Sequence, residues 1–243
     1  MSGIGIEETE QWLIGPFFSS NHPFFSINKH TVIYTWITIG IIVAILLLGR
    51  YLLSKKDSMA RFVTMYAVRL FVGMVDQTLS IFSFNHFVFI TSLFCFVFAC
   101  NLVSIIPWME EPTIDLNTTL ALGIISFLYT QVAAIGEGGL WKYIRGYFSP
   151  FFLMMPINVV GKLATVVSIS FRLFGNIFGG SIISSIYFTA IQGNFMFEFI
   201  GLASGLNLLL AAFFVIFEGF LQAFVFAMLS LTYLSLAIQS EGD

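Results

Sequence analysis

Residues 161–181 read GKLATVVSISFRLFGNIFGGS, and this stretch sets the interpretation of the whole chain. It is apolar enough to lie in a membrane and contains no acidic residue, yet Arg172 stands at its centre between two hydrophobic neighbours. An arginine stays charged at any accessible pH, and a charge near the bilayer centre is unfavourable by a few kcal/mol. We therefore interpret Arg172 as a functional residue. The alternative is an arginine that snorkels to the nearer interface from a packing seam.

A helical arrangement of this stretch places Arg172 in a stripe of small and weakly polar residues. Steps of three and four residues from it collect Gly161, Thr165, Ser168, Gly175, Asn176 and Gly179 on one face. Small residues let another helix approach closely, and Ser and Asn side chains can hold water or a proton path. The stripe therefore predicts close helix packing, a proton path, or both.

The composition is that of a polytopic membrane protein. Of the 243 residues, 58% are hydrophobic and only 9% are charged, whereas a soluble domain has about 25% charged residues. Cys95 and Cys100 lie in one apolar run, so we expect buried thiols rather than a disulfide or a metal site. The only histidines, His22, His30 and His86, are not spaced to bind haem as a pair. We therefore expect no cofactor and no metal.

Apolar runs and charged loops divide the chain into segments. An outer N-terminal segment at 1–30 precedes a single integral membrane domain at 31–243. Within that domain we predict spans at 31–49, 85–106 and 116–134, an amphipathic surface helix at 58–83, and two long helices at 151–188 and 195–238. The predicted fold class is an all-α polytopic membrane protein with about five membrane helices.

The last two apolar stretches are about twice as long as a span requires. A helix of about 40 residues is roughly 60 Å long at 1.5 Å per residue, and the hydrocarbon core is about 30 Å thick. Each stretch is therefore either two spans joined by a hidden turn or one steeply tilted helix. Pro156 comes too early for a central turn, and Gly219 is the only breaker in 213–229. We favour two tilted helices that form an antiparallel hairpin through 193–195.

Basic residues indicate the orientation of the chain in the membrane. Seven of the ten lie in the loops 50–69 and 142–145, which the positive-inside rule places in the cytoplasm. The acidic loop at 110–115 and the N-terminus then lie outside, and the C-terminus lies inside.

The second long helix carries polar residues of its own. Glu218 and Gln222 are four residues apart and share a helix face. A carboxylate inside a membrane segment is a candidate functional group, and the alternative is a protonated side chain hydrogen-bonded within the bundle. Glu198 lies nearer the outer end, where a solvated role is an equal alternative.

Four stretches resemble subunit a of the rotary F-type ATP synthases, the stator subunit beside the c ring. They are NLVSIIP at 101–107, PTIDLNTTLAL at 112–122, SISFRLFGNIFGG at 168–180 and FLQAFVFAMLSLTYLSLA at 220–237. They occur in the family's order and with roughly its separations. The resemblance implies that Arg172 faces the ionisable carboxylates of the c-subunit ring.

The resemblance also implies roles for other residues and for partners. Asn176 and Gln222 match polar positions around the arginine, while Asn101, Asp115 and Asn117 match residues of the outer proton path. We expect the proton to leave by an inner path past Ser168. Implied partners are the c ring, the subunit b peripheral stalk, the rest of the synthase and the lipid bilayer, with no nucleic acid. The implied location is an energy-transducing membrane, bacterial or organellar.

The sequence departs from the family pattern at two positions. Bacterial relatives commonly have an acidic residue nine positions after the arginine and a histidine seven before the glutamine, where this chain has Ser181 and Val215. We expect Glu218 to replace that pair, with Glu198 as the second candidate. Lys162 is a further cation close to the arginine, without a predicted role.

Two other functions remain as alternatives to the stator role. A stand-alone ion channel or secondary transporter would conduct without partners and would show inverted repeats, which the sequence lacks. A purely structural assembly subunit would not need Arg172 or Glu218. No hydrolytic or nucleotide-binding motif is present, so any ATP chemistry would belong to partner subunits.

Overall fold

The computed structural model describes residues 11–13, 26–54, 59–79, 83–106, 109–148, 151–191, 205, 209 and 212–242. Two three-residue strands, β1 and β2, pair antiparallel before the first helix, and the described residues then form seven α-helices. The elements are β1 (Gln11–Leu13), β2 (Ser26–Asn28), α1 (Lys29–Ser54), α2 (Met59–Thr78), α3 (Phe84–Leu102), α4 (Leu116–Gly138), α5 (Leu140–Gly146), α6 (Met155–Ile191) and α7 (Gly219–Gly242). The predicted all-α class is confirmed.

Short helical turns join these helices at positions the sequence explains. A 3₁₀ turn at Val103–Ile105 ends α3, and Ile106 is extended, as the residue before a proline prefers. A second 3₁₀ turn at Pro112–Ile114 leads to Asp115, whose carboxylate accepts the Asn117 N–H at 2.9 Å and caps α4. A third turn at Phe152–Met154 begins α6.

Among the described residues, five helical segments are long and apolar enough to cross a membrane, as predicted. They are Lys29–Tyr51, Phe84–Ile105, Leu116–Gly138, Phe152–Tyr187 and Ala212–Gln239. Helix α2 is not among them, since it carries Arg61, Arg69 and Asp76 along its length. Its position on the membrane surface stays a prediction.

The structure tests the hidden turn in the first long stretch and in part of the second. Helix α6 runs unbroken for 37 residues, so no hidden turn divides it. The other stretch is helical throughout 212–242, with a π-helical segment at Ala212–Glu218 in place of regular α-helix. The predicted link at 193–195 lies outside the described residues, and the tilt stays a prediction.

Helix α7 lies at the centre of the bundle and packs against α3 and α4, while α6 packs against α4. The core joins α3, α6 and α7 through Val97, Leu173, Ala223, Phe226, Leu231 and Leu234. Few side chains of α6 are buried, in contrast to α3. One long face of α6 is therefore left open within the described chain.

Candidate functional site

Arg172 lies on the open face of α6. Its neighbour Leu173 is completely buried, whereas Phe171 is half exposed and Arg172 itself is exposed. Within the described part of the chain, the Arg172 guanidinium has no hydrogen bond and no carboxylate partner. The helix thus packs through the side that carries Leu173 and presents the arginine outward.

A cavity of about 290 Å³ begins one turn after Arg172 and is called here the acidic cavity. Its polar lining consists of Asn101, Ser104, Glu110, Glu111, Asn176, Ser181, Ser184, Glu218 and Gln222. Three of these residues are carboxylates, and the described lining includes no lysine, arginine or histidine. The cavity therefore has a negative potential whenever its acids are ionised.

Asn101 forms one wall of the acidic cavity and fixes the end of α3 to α7. Its side chain is 2% exposed; Nδ2 donates to the Gly219 carbonyl at 3.0 Å, and Oδ1 accepts from Thr113 Oγ1 at 3.2 Å. A Cβ at position 219 would lie only 2.9 Å from Asn101 Cβ. Glycine at 219 is therefore what allows this close approach.

Glu111 was not identified from the sequence as a site residue. Ser104 Oγ lies 2.7 Å from Glu111 Oε1 and 3.0 Å from the Asn101 carbonyl oxygen. Burial, aided by the nearby charge of Glu218, raises the pKa of Glu111 to about 7, while the Ser104 hydrogen bond opposes that rise. The available signal was the pair of glutamates directly before Pro112, but it did not indicate which one folds inward.

Gln222 joins the acidic cavity to α6. It is 4% exposed, and its Oε1 accepts from Asn176 Nδ2 at 2.6 Å. Its Nε2 is buried and has no hydrogen-bond partner among the described residues. A buried amide without a partner is unfavourable, so this N–H₂ group is available to a water or to an oxygen ligand in the cavity.

Glu218 reaches the acidic cavity from the last position of the π-helical segment. Such segments add a residue to a turn and are frequent at functional sites. A Cβ at Gly180 would lie 3.8 Å from Glu218 Oε2, so α6 passes close to this carboxylate. Ser181 and Val215, the two positions that depart from the family pattern, line the same cavity.

A second cavity of about 210 Å³, called here the basic cavity, lies on the other side of Arg172. Lys162 is the only charged residue in its described lining. Lys162 Nζ lies 3.4 Å from Gln131 Oε1 and stacks over the rings of Tyr147 and Tyr143, at 4.0 Å and 4.7 Å from their centroids. Cation–π contacts of this kind hold a lysine without a carboxylate.

The two cavities use different turns of α6. The acidic cavity takes Asn176, Ile177, Gly180, Ser181 and Ser184, and the basic cavity takes Lys162, Thr165, Val166 and Ile169. Arg172 belongs to neither lining set. It lies four residues before the first group and three after the second, about one turn from each.

Several residues singled out in the sequence do not meet at these cavities. Asp115 caps α4, and Asn117 is exposed beside it, so neither lines the acidic cavity. Ser168 is exposed and lines neither cavity. Glu198 lies outside the described residues. The structure does bring Asn101, Asn176, Glu218 and Gln222 together.

Comparisons with known proteins point to the same family over most of the chain. The sequence model of the family described as ATP synthase A chain matches residues 32–235. ATP synthase subunit a of Moorella thermoacetica is 34% identical over 209 residues, covering 84% of this chain and 88% of that protein. ATP synthase subunit a of Syntrophobacter fumaroxidans is 32% identical over 234 residues, covering 93% and 91%. ATP synthase subunit a 2 of Syntrophotalea carbinolica is 30% identical over 241 residues, covering 94% and 95%. The chain belongs to the ATP synthase subunit a family.

Proposed function

We propose that this chain is the stator subunit of a rotary ATP synthase membrane sector, in which Arg172 and two offset half-channels couple proton flow to rotation of a c-subunit ring. The observation that carries the proposal is the position of Arg172, exposed and unpaired in the described chain, between the acidic and the basic cavity. Membership of the subunit a family supports the stator role.

The arginine controls the charge of the ring's acid groups. An isolated ionised carboxylate is very unfavourable in apolar surroundings, so a ring carboxyl facing lipid is protonated. Beside Arg172 the ionised form is favoured, because an opposite charge nearby lowers a carboxyl pKa by about one to three units. A carboxyl that approaches the arginine therefore releases its proton, and one that leaves must first bind another.

The two cavities serve as the two aqueous paths. The acidic loop at 110–115 lies outside by the positive-inside rule, so the acidic cavity is the outer path and the basic cavity is the inner one. Protons then enter past Glu111 and Glu218 and leave past Lys162. The same rule puts the N-terminus outside and the C-terminus on the side where ATP is made. Arg172 separates the paths and prevents a direct leak.

The open face of α6 is the surface that the ring would cover. Large apolar side chains are exposed on it before and after the arginine, including Val167, Phe171 and Phe178. At Gly161, Gly175 and Gly179 nothing else in the described chain lies within 4 Å of where a Cβ would stand. These glycines leave room for close approach of a ring helix. The peripheral stalk subunit b and the remaining synthase subunits complete the set of partners.

The test replaces Arg172 by alanine and by glutamine in the whole complex, reconstituted in vesicles. Both variants should lose coupled ATP synthesis, since neither can favour ionisation of a ring carboxyl. Arg145→Ala is the matched control, because Arg145 is exposed on α5 and lines neither cavity. Co-purification with the ring shows that each variant assembles. Wild-type synthesis rates in either Arg172 variant would contradict the proposal.

A further inference from the structure

We propose that Glu111 and Glu218 form a carboxylate pair that relays protons through the acidic cavity, with Glu111 as the outer member that exchanges protons with bulk water. This inference rests on the proposed function and assigns its outer path to particular groups. Glu111 comes from the loop before α4, and Glu218 comes from the π-helical segment before α7. The pair therefore spans the cavity from the loop to the membrane helices.

The cavity is built to hold water between these acids. Its volume of about 290 Å³ accommodates several water molecules, each of which occupies about 30 Å³ in the liquid. Gln222 Nε2 is buried in the same lining and has no hydrogen-bond partner within the part of the chain that the structure describes. A buried donor of this kind is normally satisfied by ordered water or by an oxygen ligand. The unpartnered amide therefore indicates that the cavity holds water or an oxygen ligand. The cluster of acids alone would not be sufficient evidence for this.

Ser104 lets Glu111 change its protonation state without leaving a polar atom unsatisfied. When Glu111 is ionised, the Ser104 hydroxyl donates to Glu111 Oε1 across 2.7 Å. When Glu111 is protonated, its O–H can donate to Ser104 Oγ, and the serine hydroxyl turns to the Asn101 carbonyl at 3.0 Å. Both states are therefore hydrogen-bonded, as a group that repeatedly binds and releases a proton requires.

The titratable groups that face Glu111 are Glu110, beside it in the loop, Glu218, opposite it, and the buried thiol of Cys100 on α3. The described lining of the acidic cavity contributes no cation from α3, α6 or α7. Burial and the Glu218 charge bring the pKa of Glu111 to about 7. A proton from outside water binds Glu111, passes to Glu218 through cavity water and leaves Glu111 ionised. No other bond changes in this transfer.

Chemical labelling of the intact complex tests the pair directly. A water-soluble carbodiimide reacts with protonated carboxyl groups, and mass spectrometry resolves Glu111 from the exposed Glu110 in the same peptide. In the wild type, labelling of Glu111 should fall by half as the pH rises through about 7. Glu218→Gln removes a negative charge and should move the half-point to lower pH. Ser104→Ala removes a hydrogen bond to the ionised form and should move the half-point to higher pH.

The function of Glu111 is tested by the dependence of ATP synthesis on outer pH. Glu111→Gln should lower the rate at least about tenfold and remove the inflection near neutral pH. Glu137→Gln is the control, since Glu137 is an exposed glutamate of α4 outside both cavities. It should keep both the rate and the inflection.

Three outcomes would overturn the relay. The first is a wild-type rate and a wild-type pH inflection of ATP synthesis in Glu111→Gln. The second is a labelling half-point of Glu111 that shifts in the same direction in Ser104→Ala and in Glu218→Gln. The third is a half-point that shifts in neither of these two variants. If Glu111→Gln behaves like the wild type while Arg172→Ala loses coupled ATP synthesis, only the relay is wrong. A coupled Arg172→Ala complex would remove the stator role as well.

Discussion

The acidic and the basic cavity lie along one helix, yet they have opposite charge. Three carboxylates and no cation are found among the described residues that line the first, and one lysine and no carboxylate among those of the second. A negative cavity concentrates protons, and a positive one lowers their local concentration. Within the proposed function, the acidic cavity favours uptake of protons from outside and the basic cavity favours their release inside.

The cavities also differ in how their charges are held. Ser104 Oγ lies where it can donate to an ionised Glu111 or accept from a protonated one, so within the proposed relay this environment accepts both charge states. Lys162 Nζ lies over two tyrosine rings and 3.4 Å from an amide oxygen, and no carboxylate is among the described residues that line its cavity. Within the proposed function, the acidic cavity carries protons through its side chains, whereas the basic cavity supplies a fixed potential.

The largest expected effect comes from reversing the charge at position 218 in the wall of the acidic cavity. Glu218→Lys removes one acid of the pair and places a cation near Glu111. An opposite charge nearby lowers a carboxyl pKa by about one to three units, so Glu111 would stay ionised near neutral pH and could not deliver a proton. We expect ATP synthesis and ATP-driven proton pumping in reconstituted vesicles to fall by at least about a hundredfold.

Neutral replacements in the two cavities make this comparison quantitative. Glu218→Gln should lose most of the flux, because glutamine cannot carry a proton. Lys162→Gln should change the rate only by a few-fold, because no proton carrier is lost from the basic cavity. An equal loss of proton flux in Glu218→Gln and Lys162→Gln would mean that the acidic cavity does not differ from the basic one in carrying protons through its side chains. Unchanged proton flux in Glu218→Gln would remove Glu218 from the outer path.

The sequence predicted the helices better than it predicted the cavities. The apolar runs gave five segments able to span a membrane because burial in lipid requires length and hydrophobicity, which are local properties. The four-residue spacing of Glu218 and Gln222 placed both on one face, and both line the acidic cavity. The role of Arg172 was inferred from its unfavourable charge and stays a proposal.

The parts that the sequence did not predict depend on contacts between distant segments. Glu111 becomes buried only because its loop folds back over Ser104 and the end of α3. The tyrosine contacts of Lys162 require α5 to lie beside α6. The π-helical segment has no sequence signature comparable to a proline or a capping residue. The resemblance places Asp115 in the outer path, whereas its carboxylate here caps the start of α4.

A smaller effect is expected from crowding the wall of the acidic cavity. Gly219→Ala would place a Cβ 2.9 Å from Asn101 Cβ, which is fixed to the backbone of α3 and cannot rotate away. We expect α3 and α7 to separate slightly and the complex to lose about 1–3 kcal/mol of stability. Gly40→Ala is the control, since nothing else in the described chain lies within 4 Å of that site.

The measurement for this pair is the temperature at which the subunit dissociates from the purified complex, together with the labelling half-point of Glu111. Gly219→Ala should lower the temperature and alter the half-point, because the walls of the acidic cavity move. Gly40→Ala should change neither. Equal behaviour of the two variants would show that the Asn101 contact does not hold the acidic cavity in shape.

The smallest effect concerns Ser126 in the wall of the basic cavity, whose buried hydrogen bond can be compared with a buried hydroxyl on α6 that makes none within the described chain. Ser126 Oγ donates to Ser230 Oγ at 2.8 Å, whereas Ser170 Oγ, which does not line that cavity, is buried without a partner among the described residues. Ser126→Ala should cost about 0.5–1.5 kcal/mol, the usual contribution of one such bond. Ser170→Ala should be neutral or slightly stabilising, because no bond is lost and an unsatisfied polar atom is removed. The measurement is the temperature at which the subunit dissociates from the complex in each variant. An equal decrease of this temperature in both variants would mean that the Ser126–Ser230 bond does not stabilise the wall of the basic cavity.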